Sequence, residues 1–168
     1  MNSTKVALFF EDSLNNKIKI GPSALSGMAG FVQNDSAKRE AGGVLLGRFL
    51  IGNNDVIVDH ITVPMTGDKR SRFGYFRSKD AHQKRISEMW ALSQGTCNYL
   101  GEWHTHPEDD PDPSAHDLTS WKNKLRLDRF DSDFLFFVIV GTVQVNAWKG
   151  CRDDGQFEKL SLVPVIQA

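Results

Sequence analysis

Several things are scarce in this sequence, and each scarcity excludes something. Cysteine occurs twice in 168 residues, at Cys97 and Cys151. A disulfide-stapled secreted fold needs more than that in so short a chain. No Cys-x-x-Cys pair is present, which excludes a thiolate zinc ribbon and a thioredoxin-type redox site. An excess of one charge is also missing, because 20 Lys and Arg face 21 Asp and Glu. A nucleic-acid binder normally carries a basic excess, and a polybasic membrane anchor needs one locally. No run approaches the roughly 20 apolar residues of a membrane span. The first apolar run is cut by Glu11 and Asp12, too early for a signal-peptide core. Neither nucleic acid nor membrane is expected as a partner, and a cytoplasmic location is expected.

The rest is ordinary. Hydrophobic residues make up 40 % and charged residues 24 %, values that suit one soluble domain spanning 1–168. Short apolar or alternating runs predict strands at Val6 to Phe10, Lys17 to Ile20, Val44 to Ile51 and Asp55 to Val63. Gly52-Asn53-Asn54 joins the last two as a hairpin turn. Pro22 to Gln33 reads as a first helix with proline near its start. Lys69 to Arg77 is basic and irregular. Lys79 to Gln94 is the clearest helix, with His82, Ile86, Met89, Trp90 and Ser93 on one face and Ser78 able to cap it. Further strands are expected at Cys97 to His104, Phe134 to Val140, Val143 to Lys149 and Leu160 to Ile166. A third helix is expected over Ser114 to Leu127. This order predicts an α/β (α+β) fold around one mixed sheet flanked by two or three helices.

One segment carries the chemistry. It reads Gly101-Glu102-Trp103-His104-Thr105-His106-Pro107, followed by Pro113-Ser114-Ala115-His116-Asp117. Two histidines one residue apart on a strand project to the same side. Pro107 ends that strand, since it lacks the N–H a ladder needs. Ser114 starts a helix, and Asp117, one turn in, can aim a carboxylate back at His104 and His106. Two imidazoles and a carboxylate form a three-ligand Zn2+ site with a position open for water. Such a site still needs a nearby base. Glu40, Glu88 and Glu102 are all candidates. Glu40 precedes Ala41-Gly42-Gly43 and a buried strand, Glu88 lies on the polar side of its helix, and Glu102 shares parity with the histidines.

Each part has a plainer reading when taken alone. His-x-His occurs on any exposed strand face, and Ser-x-x-Asp is a helix cap. His60 and His116 lack partners at ligand spacing, and His82 falls on an apolar helix face as a core histidine. Glu108, Asp109, Asp110 and Asp112 read as a solvated loop, and Lys69, Arg70, Arg72 and Arg77 as a solvated basic face. Cys97 and Cys151 read as inert thiols. Tyr99 and Trp103 are expected on the strand face opposite the histidines.

Together, the spacing His-Thr-His-Pro, six residues, Ser, two residues, Asp, with an upstream Glu before Gly-Gly, resembles the JAMM metallopeptidase family, also called MPN-plus or JAB. The resemblance runs over most of the chain, from about Val6 to Val165 by element order. It implies a single JAB/MPN-like domain with a curved, cytidine deaminase-like mixed sheet. It assigns one zinc to His104, His106 and Asp117, the general base to Glu40 and oxyanion support to Ser114. The implied reaction is hydrolysis of an amide or isopeptide bond without a covalent intermediate.

The chain is more similar to the family's bacterial stand-alone members than to its eukaryotic deubiquitinases, which carry extra ubiquitin-holding segments. Some of these bacterial members accompany ubiquitin-activating and ubiquitin-conjugating enzyme homologues in anti-phage operons. There they release a cyclic-nucleotide synthase from the target joined to its C-terminus. Others process ubiquitin-fold sulfur carriers. The anti-phage group is the favoured resemblance, with a protein presenting an extended C-terminus in amide linkage as substrate. Phe73 to Phe76 is the expected edge for such a tail. A sulfur-carrier peptidase, a peptidoglycan or phage-tail peptidase and a metal-free MPN scaffold are the alternatives.

Overall fold

The structure is a computed structural model, and it describes residues 6–164. It opens with strands β1 (Leu8–Glu11) and β2 (Lys17–Ile20), then helix α1 (Pro22–Ala29). Strands β3 (Gly42–Phe49) and β4 (Val56–Ile61) follow. A small hairpin, β5 (Lys69–Ser71) and β6 (Gly74–Phe76), leads to helix α2 (Lys79–Leu92). Then come β7 (Asn98–Thr105), α3 (Ala115–Leu127), β8 (Phe134–Val140), β9 (Val145–Cys151), β10 (Phe157–Lys159) and β11 (Ser161–Leu162). Among the described residues, no helix is long and apolar enough to cross a membrane.

The main sheet has the order β10-β9-β8-β7-β3-β4-β2-β1-β11. Its pairs are antiparallel except β2 with β4 and β7 with β8. The sheet is strongly curved. Its two outer strands, β10 and β11, are consecutive in the chain and separated only by Leu160, so one stretch of backbone nearly closes it. Lys149 reaching Asp12 at 2.7 Å and the Ser13 N–H reaching Glu158 at 2.6 Å join the same two margins. Inside the curl, Phe10, Ile20, Met28, Leu45, Leu100 and Trp103 form the main core. On the other face Trp121 and Leu125 of α3 pack on Leu135, Phe137, Ile139 and Trp148. β8 is buried on both faces, as its unbroken apolar run requires.

Five expectations are corrected. The Lys69 to Arg77 segment is a hairpin, not irregular: its three-residue strands are too short to show alternation. Of its cations Lys69 is exposed, as expected, but the three arginines are not a solvated face. Arg70 donates to the Glu40 and Arg39 carbonyls, Arg72 to those of Asp35 and Ser36, and Arg77 pairs with Glu102. Trp90 is 55 % exposed, because α2 turns only His82, Ile86 and Met89 inward, and Ser78 sits at the N-cap without a side-chain capping bond. Tyr99 and Trp103 lie on opposite faces, because the β3–β7 register shifts at Leu100. Gly101 accommodates that shift with φ +137°. The last strand starts at Phe157 and is broken at Leu160, where the chain passes from one sheet margin to the other; Val165 and Ile166 lie outside the described residues.

Candidate metal centre

β7 delivers the two histidines because its alternation holds to the end. His104 and His106 point to one side, while Thr105 between them points to the other. There its hydroxyl donates to Gln33 and accepts from the Ala41 N–H. The His106 N–H still donates to the Val140 carbonyl at 3.0 Å, so β8 extends the register one residue past β7. The two Nε2 atoms stand 3.1 Å apart.

α3 delivers the carboxylate. Its N-terminus is a capping box: the Ser114 Oγ accepts from the Asp117 N–H, and Asp117 Oδ2 accepts from the Ser114 N–H at 2.7 Å. The helix is held over the sheet by Trp121, one turn after Asp117, whose ring stacks on Phe137 at 4.5 Å. Asp117 Oδ1 thereby lies 3.3 Å from His104 Nε2, and its Oδ2 lies 3.4 Å from His106 Nε2.

Glu40 arrives from the start of β3. Its N–H donates to the Ser71 carbonyl at 2.7 Å. The glycines after it are required by contact. A Cβ on Gly42 would lie 2.5 Å from the Trp103 carbonyl oxygen, and one on Gly43 would lie 2.1 Å from that of Thr62. With β3 pressed this closely against its neighbours, ligand atoms of Glu40, His104 and His106 all fall within 4.8 Å of one another.

Of the three glutamates left open by spacing, only Glu40 reaches the imidazoles. Glu88 is on the surface, 3.4 Å from Arg85. Glu102 is occupied by Arg77 at 2.7 Å and Lys124 at 2.9 Å. Burial pushes its carboxyl up, but the two cations outweigh burial and leave it lowered. Glu40 has no such partner. Burial raises its carboxyl, an effect reduced by the two imidazoles and reinforced by Asp117. Asp117 goes the other way: burial opposes ionisation, but bonds from both imidazoles and Ser114 hold it far below the usual carboxylate range. Burial lowers His106, yet Asp117 more than compensates and its pKa is raised.

The donor set fits a small divalent metal. Ligands about 2.0–2.1 Å from a tetrahedral zinc stand about 3.3 Å apart, which matches the spacing of the two imidazoles and Asp117. The outer ring nitrogen of His106 adds to the fit. Nδ1 is the one buried side-chain polar atom without a hydrogen bond among the described residues, and Glu108 Oε2 lies 3.5 Å from it. Ligating histidines usually present this second nitrogen to a carboxylate.

The site opens into a cleft of about 300 Å³ between β6 and the 106–117 segment, with Phe73 and Phe76 on its rim. Phe73 to Phe76, the segment expected to offer an edge, thus lines the same cleft as Glu40, His106 and Asp117. His116 packs edge-on against Phe76 at 5.4 Å, and His60 is exposed. The acidic loop is exposed, as expected, and tethered at three points: Asp109 binds Thr142, Asp110 binds Asn146 at 2.7 Å and Asp112 binds Lys159 at 3.0 Å. Cys97 is buried and Cys151 half-buried, both free and neither in the site.

Three bacterial proteins named CD-NTase/cGAS isopeptidase are similar to the chain. The one from Pseudomonas aeruginosa is 38 % identical over 130 residues, 77 % of this chain and 80 % of that protein. The one from Escherichia coli is 35 % identical over 153 residues, 91 % and 93 % of the two chains. The one from Vibrio cholerae is 35 % identical over 148 residues, 88 % and 90 %. A solution structure of a Desulfitobacterium hafniense protein shares the fold, with a TM-score of 0.53 at 19 % identity over 82 % of this chain and 85 % of that one. Residues 26–151, which contain both histidines, Glu40 and Asp117, match the family described as prokaryotic homologs of the JAB domain, and the chain belongs to that family.

Proposed function

We propose that the protein is a zinc-dependent isopeptidase that hydrolyses the amide bond joining the C-terminus of one protein to another. The observation that carries the reading is the convergence of His104, His106 and Asp117 within 3.4 Å, with buried, unpaired Glu40 beside them. His104, His106 and Asp117 would hold the metal. Zinc bound there supplies Lewis acidity for the scissile carbonyl and a lowered pKa for water. Glu40 accepts the proton of the attacking water and returns it to the leaving amine, a role that its raised pKa suits. The Ser114 hydroxyl, which donates to Asp117 at 2.6 Å, turns to donate to the developing oxyanion. Cys97 and Cys151 take no part.

The names of the three relatives direct the substrate proposal to a CD-NTase/cGAS-type protein, and the family resemblance adds conjugation through its C-terminus in anti-phage defence. Homologues of ubiquitin-activating and ubiquitin-conjugating enzymes are the proposed partners, as makers of the bond cut here. The tail enters as an extended strand beside β6, whose outer edge pairs with no strand among the described residues. The test is to incubate the zinc-loaded protein with a synthase conjugated to a lysine side chain and to identify products by mass spectrometry. Release of an intact synthase C-terminus and a free lysine, blocked by a chelator and restored by zinc, is the expected result. No cleavage by the loaded protein, or cleavage indifferent to chelation, would overturn it.

A further inference from the structure

Among the described residues, the wall of the cleft is held by no strand of the main sheet; along one side Ser71, Arg70 and Arg72 bond it to residues 33–40. β5 and β6 have three residues each and join no other strand among the described residues. Phe73 and Phe76 are 79 % and 56 % exposed on it. A two-stranded ribbon this short is not stable alone.

Beneath it lies a buried polar chain that the chemistry above does not use. The Tyr75 hydroxyl donates to Asp68 Oδ2 at 2.8 Å. The same carboxylate accepts the Met65 and Ser78 N–H groups and lies 2.9 Å from His82 Nε2. His82 Nδ1 is 2.6 Å from the Thr62 Oγ1. That hydroxyl oxygen accepts the Val44 N–H at 2.8 Å, and the Thr62 carbonyl accepts the Trp103 indole N–H at 2.9 Å. His82 and Thr62 are 0 % and 2 % exposed.

The bonding assigns the tautomer. Asp68 only accepts, so His82 carries its proton on Nε2, and Nδ1 accepts the Thr62 O–H. The chain then runs without an unsatisfied group from β3 to the hairpin. A buried polar chain of this kind is a costly way to gain stability, since apolar side chains would fill the space without desolvation. What it provides is a single geometry. One end grips Val44, which follows Glu40 on β3, and Trp103, which precedes His104 on β7. At the other end the Tyr75 ring lies over Gly42, where an added Cβ would stand 2.7 Å from it.

The geometry points to Tyr75, Asp68 and His82 as positioning residues that fix the β5–β6 wall against the strands carrying Glu40 and His104. They keep the groove in register for an extended protein tail. The assignment rests on the isopeptidase reading. None of the three touches the reacting atoms, so their effect is on substrate capture rather than on bond cleavage.

Tyr75→Phe removes one hydroxyl and keeps the ring over Gly42. With a protein conjugate, KM rises about fivefold or more while kcat changes less than about twofold. Amide hydrogen exchange across residues 69–76 accelerates about tenfold, with the main sheet unchanged. Zinc content stays at the native level. Asp68→Asn, which breaks the same joint from the other side, shows the same pattern more strongly. An unchanged KM, or unchanged exchange in the hairpin, overturns the assignment, as does a loss confined to kcat. If the native protein cleaves no conjugate, the isopeptidase reading fails, and the exchange comparison still decides whether the chain holds the wall.

Discussion

Replacing Glu40 by Gln is the sharpest test of the site, because the structure leaves two roles for that side chain. Its carboxylate lies close enough to His104 and His106 to be counted with them as a metal-binding group. It is also, among the described carboxylates near the imidazoles, the one without a charged partner: Asp117 is engaged by both imidazoles and Ser114, Glu102 by Arg77 and Lys124, and Glu108 faces the outer nitrogen of His106. If Glu40 is the base, no neighbour replaces it. A general base contributes about 10²–10⁴ in rate, or about 3–5 kcal/mol of barrier. With no substitute in reach, the upper half of that range is expected for the loss in kcat/KM. The fold is not expected to suffer. Glu40 is held by its backbone, through Ser71 and Arg70, and Gln keeps its shape. Because burial disfavours the ionised carboxyl, the neutral amide leaves the melting temperature level or slightly raised. The assay pairs initial rates on a conjugate with zinc analysis by atomic emission, and His104→Ala serves as the control that loses both. Native zinc with activity lost supports the base. Zinc lost in Glu40→Gln makes Glu40 a ligand, and activity within tenfold of native places the base elsewhere; either refutes the argument.

Other perturbations test the surroundings. Glu108→Ala leaves His106 Nδ1 without a carboxylate in reach, so zinc affinity, read by competition with a chromophoric chelator, falls by about tenfold; an unchanged affinity means Glu108 does not orient the ring. Gly101→Ala puts a Cβ 1.8 Å from the Phe136 carbonyl oxygen at φ +137°, and urea unfolding should register a loss of about 3 kcal/mol or more; a loss under about 1 kcal/mol would show that the bulge can relax. Asp12 is held at about 2 although burial opposes it, because Lys149 and Asn16 bind its ionised form. Its folded pKa is thus depressed, and its contribution of about 2 kcal/mol is present above the unfolded value near 4 and lost as pH falls toward 2. Asp12→Asn therefore flattens the decline of stability between pH 4 and pH 2, and parallel curves for the two proteins would contradict the assignment.

The candidate ligands His104, His106 and Asp117 were legible in the sequence because each hangs on local geometry. Strand alternation sets His104 and His106 on one side, and the third position of a capped helix turns Asp117 toward its own N-terminus. The parity argument was safe only because the register shift at Leu100 precedes Glu102. Applied across the shift it failed, putting Tyr99 on the face of Trp103. The β5–β6 hairpin was illegible for a different reason. Its strands are too short for periodicity, and Arg70 and Arg72 look solvent-seeking until the Arg39, Glu40, Asp35 and Ser36 carbonyls are brought to them. The choice among Glu40, Glu88 and Glu102 likewise needed cations from distant segments. Trp90 misled because α2 lies against the sheet through a narrow strip, and residues at the margin of a helical face remain in water.

The net charge of −1 also hid a division of labour. Glu102, Asp117 and Glu40 lie near the candidate site, and their partners differ. Glu102 meets Arg77 and Lys124 and becomes a permanent anion tying the hairpin exit to α3. Asp117 meets two imidazoles and a hydroxyl, which keeps it ionised and suited to a cation. Glu40 meets burial, reinforced by Asp117 and only partly opposed by those imidazoles, so its proton affinity rises, as suits a base. Residue type does not distinguish Glu40 from Glu102, and neither does strand parity. What separates them is that two long cations reach the Glu102 carboxylate from α3 and the hairpin exit, whereas the cation beside Glu40, Arg70, is spent on the backbone carbonyls of Glu40 and Arg39. The close packing of Gly42 and Gly43 carries Glu40 to the histidines, and the engagement of Arg70 by backbone leaves the Glu40 carboxylate free to take a proton.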